Sequence, residues 1–351
     1  MYASRKLRAG LLAVLVGLFV VACGDDEDVT GPDLEFEPAE MAAAMEDMAE
    51  AGEAMIPAFA AMSAASDIIG TPAFAAAGPG HPFALDPARP GAEIATDYIP
   101  SQYYGTTFVW STDADHYVPG DEEGAPEDGV RIIYYAVDPV TRDPVEPLEP
   151  LGYIDLRDLS TDEADRLSVV VVSTPADGEP LTLADYIVQS SFTVTQSVFT
   201  ADLSAEGYIS DGTAQVNFDL SNDLEITESV LILEQDYAVG LEGTDVAAAF
   251  SSTLTGDPDS DAGTVELTAM VTDGSEVVEF DLTTDAQTQS LDGVLRHQGE
   301  VVVLVGGTFS DPMFTDAEGD PLTQQQLAGL DELWDTLDVL FEITELLLIF
   351  N

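Results

Sequence analysis

Residues 213–221 read Thr-Ala-Gln-Val-Asn-Phe-Asp-Leu-Ser and alternate without a break. Ala214, Val216, Phe218 and Leu220 share one face, and Thr213, Gln215, Asn217, Asp219 and Ser221 share the other. Successive side chains of a strand point to opposite faces, so this is a strand buried on one side and wet on the other. One-sided wetting belongs to antiparallel sheets, because parallel strands, covered on both faces, read as continuous apolar runs. The same alternation returns at Val265, Leu267, Ala269 and Val271, and again at Val278, Phe280 and Leu282. Asp211-Gly212 and Asp273-Gly274 are two-residue hairpin signals between such runs. Gln298-Gly299 joins residues 290–297 to 300–305 in the same way.

Upstream lie shorter runs at 106–111, 130–137, 151–156 and 167–173. They are separated by the turn formers Asp138-Pro139, Asp143-Pro144 and Pro175-Ala176-Asp177-Gly178. Residues 96–310 therefore read as strands of one sheet with an apolar face that something must cover. The C-terminus offers a cover. Thr323 and Gln326 have capping-box spacing, and Leu327, Leu330, Trp334, Leu337, Phe341 and Leu348 form an apolar stripe, with Leu333, Leu340 and Leu347 beside it. Asp331, Glu332, Asp335, Asp338, Glu342 and Glu345 on the opposite side exclude a membrane-spanning reading of 323–350.

A second helix is predicted over 38–66, where Met41, Met45, Met48, Gly52, Met55, Phe59 and Met62 recur at alternating spacings of four and three. Pro57 should kink it or end it early. Methionine is flexible and polarizable, so the stripe suits either packing on the chain's own sheet or adaptable apolar binding. Residues 67–95, rich in Pro, Gly and Ala, read as a linker. The predicted fold class is mainly β (α+β). It is a curved antiparallel β-meander or half-barrel, with an N-terminal Met-rich helix and a C-terminal amphipathic helix covering the apolar face.

Residues 1–23 run MYASRKLRAGLLAVLVGLFVVAC, with Arg5, Lys6 and Arg8 before an uncharged apolar run. From Ala9 to Ala22 that run is too short to span a hydrocarbon core of ~30 Å as a helix, which marks a secretory signal. Its end, Val20-Val21-Ala22-Cys23, resembles the lipobox of bacterial lipoprotein precursors. The resemblance implies cleavage before Cys23 and a diacylglycerol thioether on that residue, the chain's one cysteine. With Gly24 rather than Asp behind it, the resemblance implies the outer membrane. Domain boundaries follow as a signal at 1–22, an acidic tether at 23–37, a helix at 38–66, the linker at 67–95 and the β domain at 96–351.

The 351 residues carry 67 acids against 9 bases, for a net charge of −58. Loss of 1–22 removes Arg5, Lys6 and Arg8 but no acid, leaving six arginines, no lysine and a net charge of −61. That excludes a P-loop lysine, a Schiff-base lysine and an S-x-x-K nucleophile. It also excludes partnership with a phosphate backbone, which such a surface repels. A lysine-free acidic surface also fits life in high salt, where screening limits self-repulsion.

No G-x-S-x-G, H-E-x-x-H, C-x-x-C or G-x-G-x-x-G motif occurs. His81 falls in the linker, His116 in a turn and His297 on a strand. No enzyme is predicted. Alternating Asp257, Asp259 and Asp261 can direct several oxygens at calcium. However, Gly263 falls at the seventh position rather than the sixth, and Thr268 stands where a glutamate belongs at the twelfth. Solvated turn acids are the other reading, and Asp316–Asp320 is a weaker version of the same pattern. Two functions fit a noncatalytic envelope lipoprotein of this kind. One is a module that binds or carries an apolar ligand between sheet and helices. The other is a structural or interaction module with a packed core, with calcium trimming its loops.

Overall fold

The computed structural model describes residues 38–65, 98–138, 144–161, 164–175, 178–195, 197–258, 263–285, 287–288, 290–308 and 311–347. The predicted signal, tether and linker, and with them Cys23, His81, Asp259, Asp261 and Leu348, lie outside these residues.

The helices are α1 (Pro38–Glu53), α2 (Ile56–Ala64) and α3 (Gln324–Leu347). The strands are β1 (Thr106–Ser111), β2 (His116–Pro119), β3 (Gly129–Tyr135), β4 (Pro150–Asp158), β5 (Asp165–Ser173), β6 (Leu181–Val194), β7 (Val198–Ser210) and β8 (Gln215–Thr227). They continue as β9 (Leu231–Leu241), β10 (Val246–Gly256), β11 (Gly263–Asp273), β12 (Glu276–Asp285), β13 (Leu291–His297), β14 (Glu300–Thr308) and β15 (Asp311–Asp316).

The fold is mainly β. Strands neighbour one another in sequence order from β15 down to β3, followed by β1 and then β2. The inversion at the end is the one departure from the predicted meander. β1 pairs antiparallel with β2 but parallel with β3, Thr106 opposite Val130 and Phe108 opposite Ile132. Parallel neighbours need a crossover connection, and β2 with the turn behind it serves as one. Gly105 donates its N–H to the carbonyls of Pro126 and Gly129, bringing the two strands level at their starts. His116, expected in a turn, opens β2 opposite Ser111 instead. A four-residue strand that follows Asp115 and ends on Pro119 carries too little alternation to stand out in the sequence.

The long N-terminal helix is two helices. Ala54 and Met55 close α1 on the carbonyls of Glu50 and Gly52. Pro57 then sits in the first turn of α2, where its missing N–H costs nothing. At the other end, Thr323 and Gln326 form the capping box of α3. The Gln326 N–H donates to Thr323 Oγ1 (3.3 Å), and Gln326 Oε1 accepts from the Thr323 N–H (2.8 Å). The Gln298-Gly299 turn has φ of 52° and 83°, the double left-handed geometry of a tight hairpin.

The chain falls into two compact units. The first comprises Met1–Ala49, Phe192–Asp202 and Leu220–Glu342; the second comprises Glu50–Ser191, Leu203–Asp219 and Ile343–Asn351. In the first unit, register places Tyr237, Phe250, Ala269, Phe280, Leu295 and Val303 in one row across β9 to β14. All six are buried. In the second unit, Phe108, Ile132, Ile154, Val171 and Ala184 form an equivalent buried row across β1 and β3 to β6. Helix α2 packs against β3 there, with Phe59 and Met62 fully inside. Among the described residues no helix is long and apolar enough to cross a membrane.

Candidate functional site

The apolar face of the first unit is occupied by α3. Trp334 meets Phe280 of β12 edge to face at 5.7 Å between ring centroids. Seven residues on, Phe341 meets Tyr237 of β9 at 5.7 Å and Phe250 of β10 at 6.0 Å. Seven helical residues rise about 10.5 Å, and two strand spacings from β10 to β12 measure about 9.6 Å. Helix α3 therefore crosses the strands and lays one large ring on the row for every two of them.

Between β12–β14 and the first turns of α3 a cavity of about 30 Å³ remains. Phe280, Leu282, Leu295 and Val303 wall it from the sheet, and Leu330 and Trp334 from the helix. Asp331 stands at its rim. Two polar atoms on this face are buried without a hydrogen-bond partner, Trp334 Nε1 and Thr284 Oγ1. Partial burial, with Asp335 one helical turn away, holds the Asp331 carboxyl above the ordinary range for aspartate.

Among the described residues, the polar side chains buried around Tyr237 in this unit are paired. Gln235 Nε2 donates to Tyr237 Oη (2.7 Å) and to Asn222 Oδ1 (3.3 Å). The Tyr237 hydroxyl donates to the same Asn222 oxygen (2.9 Å), and Ser252 Oγ donates to Gln235 Oε1 (3.0 Å). On the wet face of the sheet, burial pushes the Asp223 carboxyl up, and neighbouring Asp202, Glu234 and Asp236 add to it.

The described residues among those singled out as candidate ligands or catalytic groups are not brought together. Asp257 is exposed just beyond β10, and Gly263 opens β11. Their predicted partners Asp259 and Asp261 lie outside the described residues, as does Cys23. Asp316 spends its carboxylate on its own turn, accepting from the N–H groups of Glu318 (3.0 Å) and Asp320 (2.7 Å). His297 Nε2 lies 2.6 Å from Glu276 Oε2 where β12 begins and β13 ends, and His116 Nδ1 lies 2.8 Å from the Ala114 carbonyl. Among the described residues no three His, Cys, Asp or Glu side chains group as metal ligands. The cavity and its orphan indole were missed in the sequence, where Trp334 reads only as one more member of an apolar stripe. No family model, curated protein or solved structure matches the chain.

Proposed function

We propose that the chain is a lipid-anchored lipoprotein of the bacterial envelope, held at the outer membrane through Cys23. Its folded part is a noncatalytic structural or interaction module with a packed interior. The anchor is supported by Val20-Val21-Ala22-Cys23 followed by Gly24. The packed reading is carried by α3. Leu330, Leu333, Trp334, Leu337, Leu340 and Phe341 are each less than one-tenth exposed, so the helix takes the place on the sheet that a ligand would need. Burying one such side chain is worth roughly 1.5–3 kcal/mol, so displacing six would cost as much as a domain's net stability of ~5–15 kcal/mol. The noncatalytic reading rests on the sequence, which holds none of the catalytic motifs sought in it. Calcium at Asp257, Asp259 and Asp261 would brace the β10–β11 loop of such a module.

A second reading, carriage of an apolar ligand, is favoured by the cavity under Trp334 and requires α3 to lift. Native mass spectrometry of the chain extracted from membranes separates the two. The packed module gives one mass, the chain plus its own acyl anchor, and a carrier gives further copurifying lipid. A mature N-terminus away from Cys23 and free of acyl chains would overturn the anchor.

A further inference from the structure

In the first unit the strands alternate: in β12, Val278, Phe280 and Leu282 are buried, and Glu279 and Asp281 lie on the opposite face. The second unit differs. There β5 runs Val169-Val170-Val171-Val172 and β3 runs Val130-Arg131-Ile132-Ile133, so both faces of the sheet are apolar. Strands of that kind belong where both faces are covered. The inner face, with Ile132 and Val171, is buried. On the outer face, register sets Val109 beside Val118, and Ile133 beside Tyr153 and Val172. Val109 stands one step beyond the Phe108–Ile132 pair, which joins the two sets into one row across β1 to β5. Val109, Val118, Ile133 and Tyr153 all remain partly exposed.

This face also gathers the chain's rare cations. Its strands carry Arg131, Arg157 and Arg166 against Asp155 and Asp185, whereas the outer face of β9–β12 carries Glu234, Asp236, Glu266, Glu279 and Asp281. Arg131 lies 3.7 Å over the Tyr153 ring and donates twice to Asp155, at 2.7 and 2.8 Å. Arg157 reaches Asp128 only at 3.9 Å, and Asp185 is exposed, so one charge of each sign is available to a partner. Chains of net charge −58 repel one another, and least across a face such as this. Five strands at ~4.8 Å, and Leu151 to Arg157 at ~3.3 Å per residue, give a face of roughly 500 Å², at the low end for a specific interface. Lipid-anchored copies share one membrane surface, which raises their effective concentration, so micromolar affinity suffices.

We propose that a second copy of the chain docks here, the second units of two copies pairing through their outer faces as a weak, two-fold symmetric dimer. The apolar rows pack face to face, and Arg157 of each copy meets Asp185 of the other, since a two-fold axis presents every residue of the patch to its own copy. The inference rests on the interaction-module reading above and names its partner.

Sedimentation velocity of the chain extracted from membranes in mild detergent, from about 1 to 100 μM, should show a monomer passing to a dimer. Raising sodium chloride to about 0.5 M should strengthen the dimer, because it screens the repulsion and leaves the apolar contact. Ile133→Asp, which sets a charge in the apolar row, and Arg157→Glu, at an exposed position, should each raise the dissociation constant at least roughly ten-fold. Met270→Asp, on the outer face of the first unit, should leave it unchanged. A monomer at ~100 μM would overturn the proposal and leave the face to a different partner. So would a dimer lost in salt, one that both Ile133→Asp and Arg157→Glu leave intact, or one that Met270→Asp weakens equally. A dimer that carries copurified lipid would sink the packed interior and keep the interface, and a lipid-free monomer would do the reverse.

Discussion

The Trp334 indole stands edge-on to the Phe280 ring at 5.7 Å with the planes 67° apart, in one of the two arrangements that the aromatic quadrupole favours. The contact joins α3 to the centre of the buried row on β9–β14. Trp334→Ala should destabilise the protein by roughly 3–5 kcal/mol in urea unfolding, the usual cost of emptying a core site of this size. A double-mutant cycle with Phe280→Leu should return a coupling of about 0.5–1.5 kcal/mol. Additive effects would mean that the two rings are neighbours without being partners.

Gly52 presents its bare Cα to Ile343, and a Cβ built there would collide with the Ile343 side chain. An alanine inside a helix is ordinarily favourable by up to ~1 kcal/mol over glycine, and by less at the penultimate position that Gly52 holds in α1. Here Gly52→Ala should instead cost roughly 1–3 kcal/mol through overpacking. Adding Ile343→Ala should relieve the collision, so that the double variant is more stable than the sum of the singles predicts. Thermal melts of the four chains decide it.

Alkaline pH should loosen the second unit. Tyr98 and Ser190 share a buried hydrogen bond of 2.8 Å. Burial, with Asp165 and Asp158 adding and Ser190 opposing, pushes the Tyr98 hydroxyl up from 10.0 to about 12. Between those values the unfolded chain has lost this proton and the folded chain has kept it. Stability is therefore complete below pH 10 and falls as pH rises, by roughly 1.4 kcal/mol per unit for this group. Tyr186, pushed up by complete burial, acts in the same direction. Urea midpoints from about pH 8 to 11 should decline, and Tyr98→Phe should flatten the decline while lowering stability at neutral pH through the lost Ser190 contact.

With 67 acids, the fold repels itself. Sodium chloride should raise the melting temperature as screening shortens the reach of that repulsion. If calcium binds the loop of Asp257, Asp259 and Asp261, millimolar calcium should add a further rise at matched ionic strength. Asp259→Asn with Asp261→Asn should remove that addition. Equal shifts from the two salts would return these aspartates to ordinary turn acids.

Strand faces were legible because alternation is local. Val278, Phe280 and Leu282 needed no partner to be read as one face. Partners are another matter. The parallel pairing of Thr106 with Val130 depends on a return from β2, and the period-two pattern of either strand is blind to it. The apolar stripe of α3 was readable for the same local reason, as was its Thr323–Gln326 cap. The cavity was not, because its existence depends on how Leu282, Leu295 and Val303, from three strands, fit around one indole. Gln235, polar in the middle of an apolar face, is intelligible only once Asn222, Tyr237 and Ser252 are seen around it.

The central claim is that α3 is an integral cover of the sheet. Deleting residues 323–351 and following the product by size-exclusion chromatography and thermal melting tests it directly. The deletion uncovers Phe280, Phe250 and Tyr237 together, and so large an apolar face is a sticky patch. The predicted result is a chain that aggregates or fails to fold. A monomer with an unchanged melting temperature would contradict the account, and the helix would then have to serve a partner or a membrane surface instead.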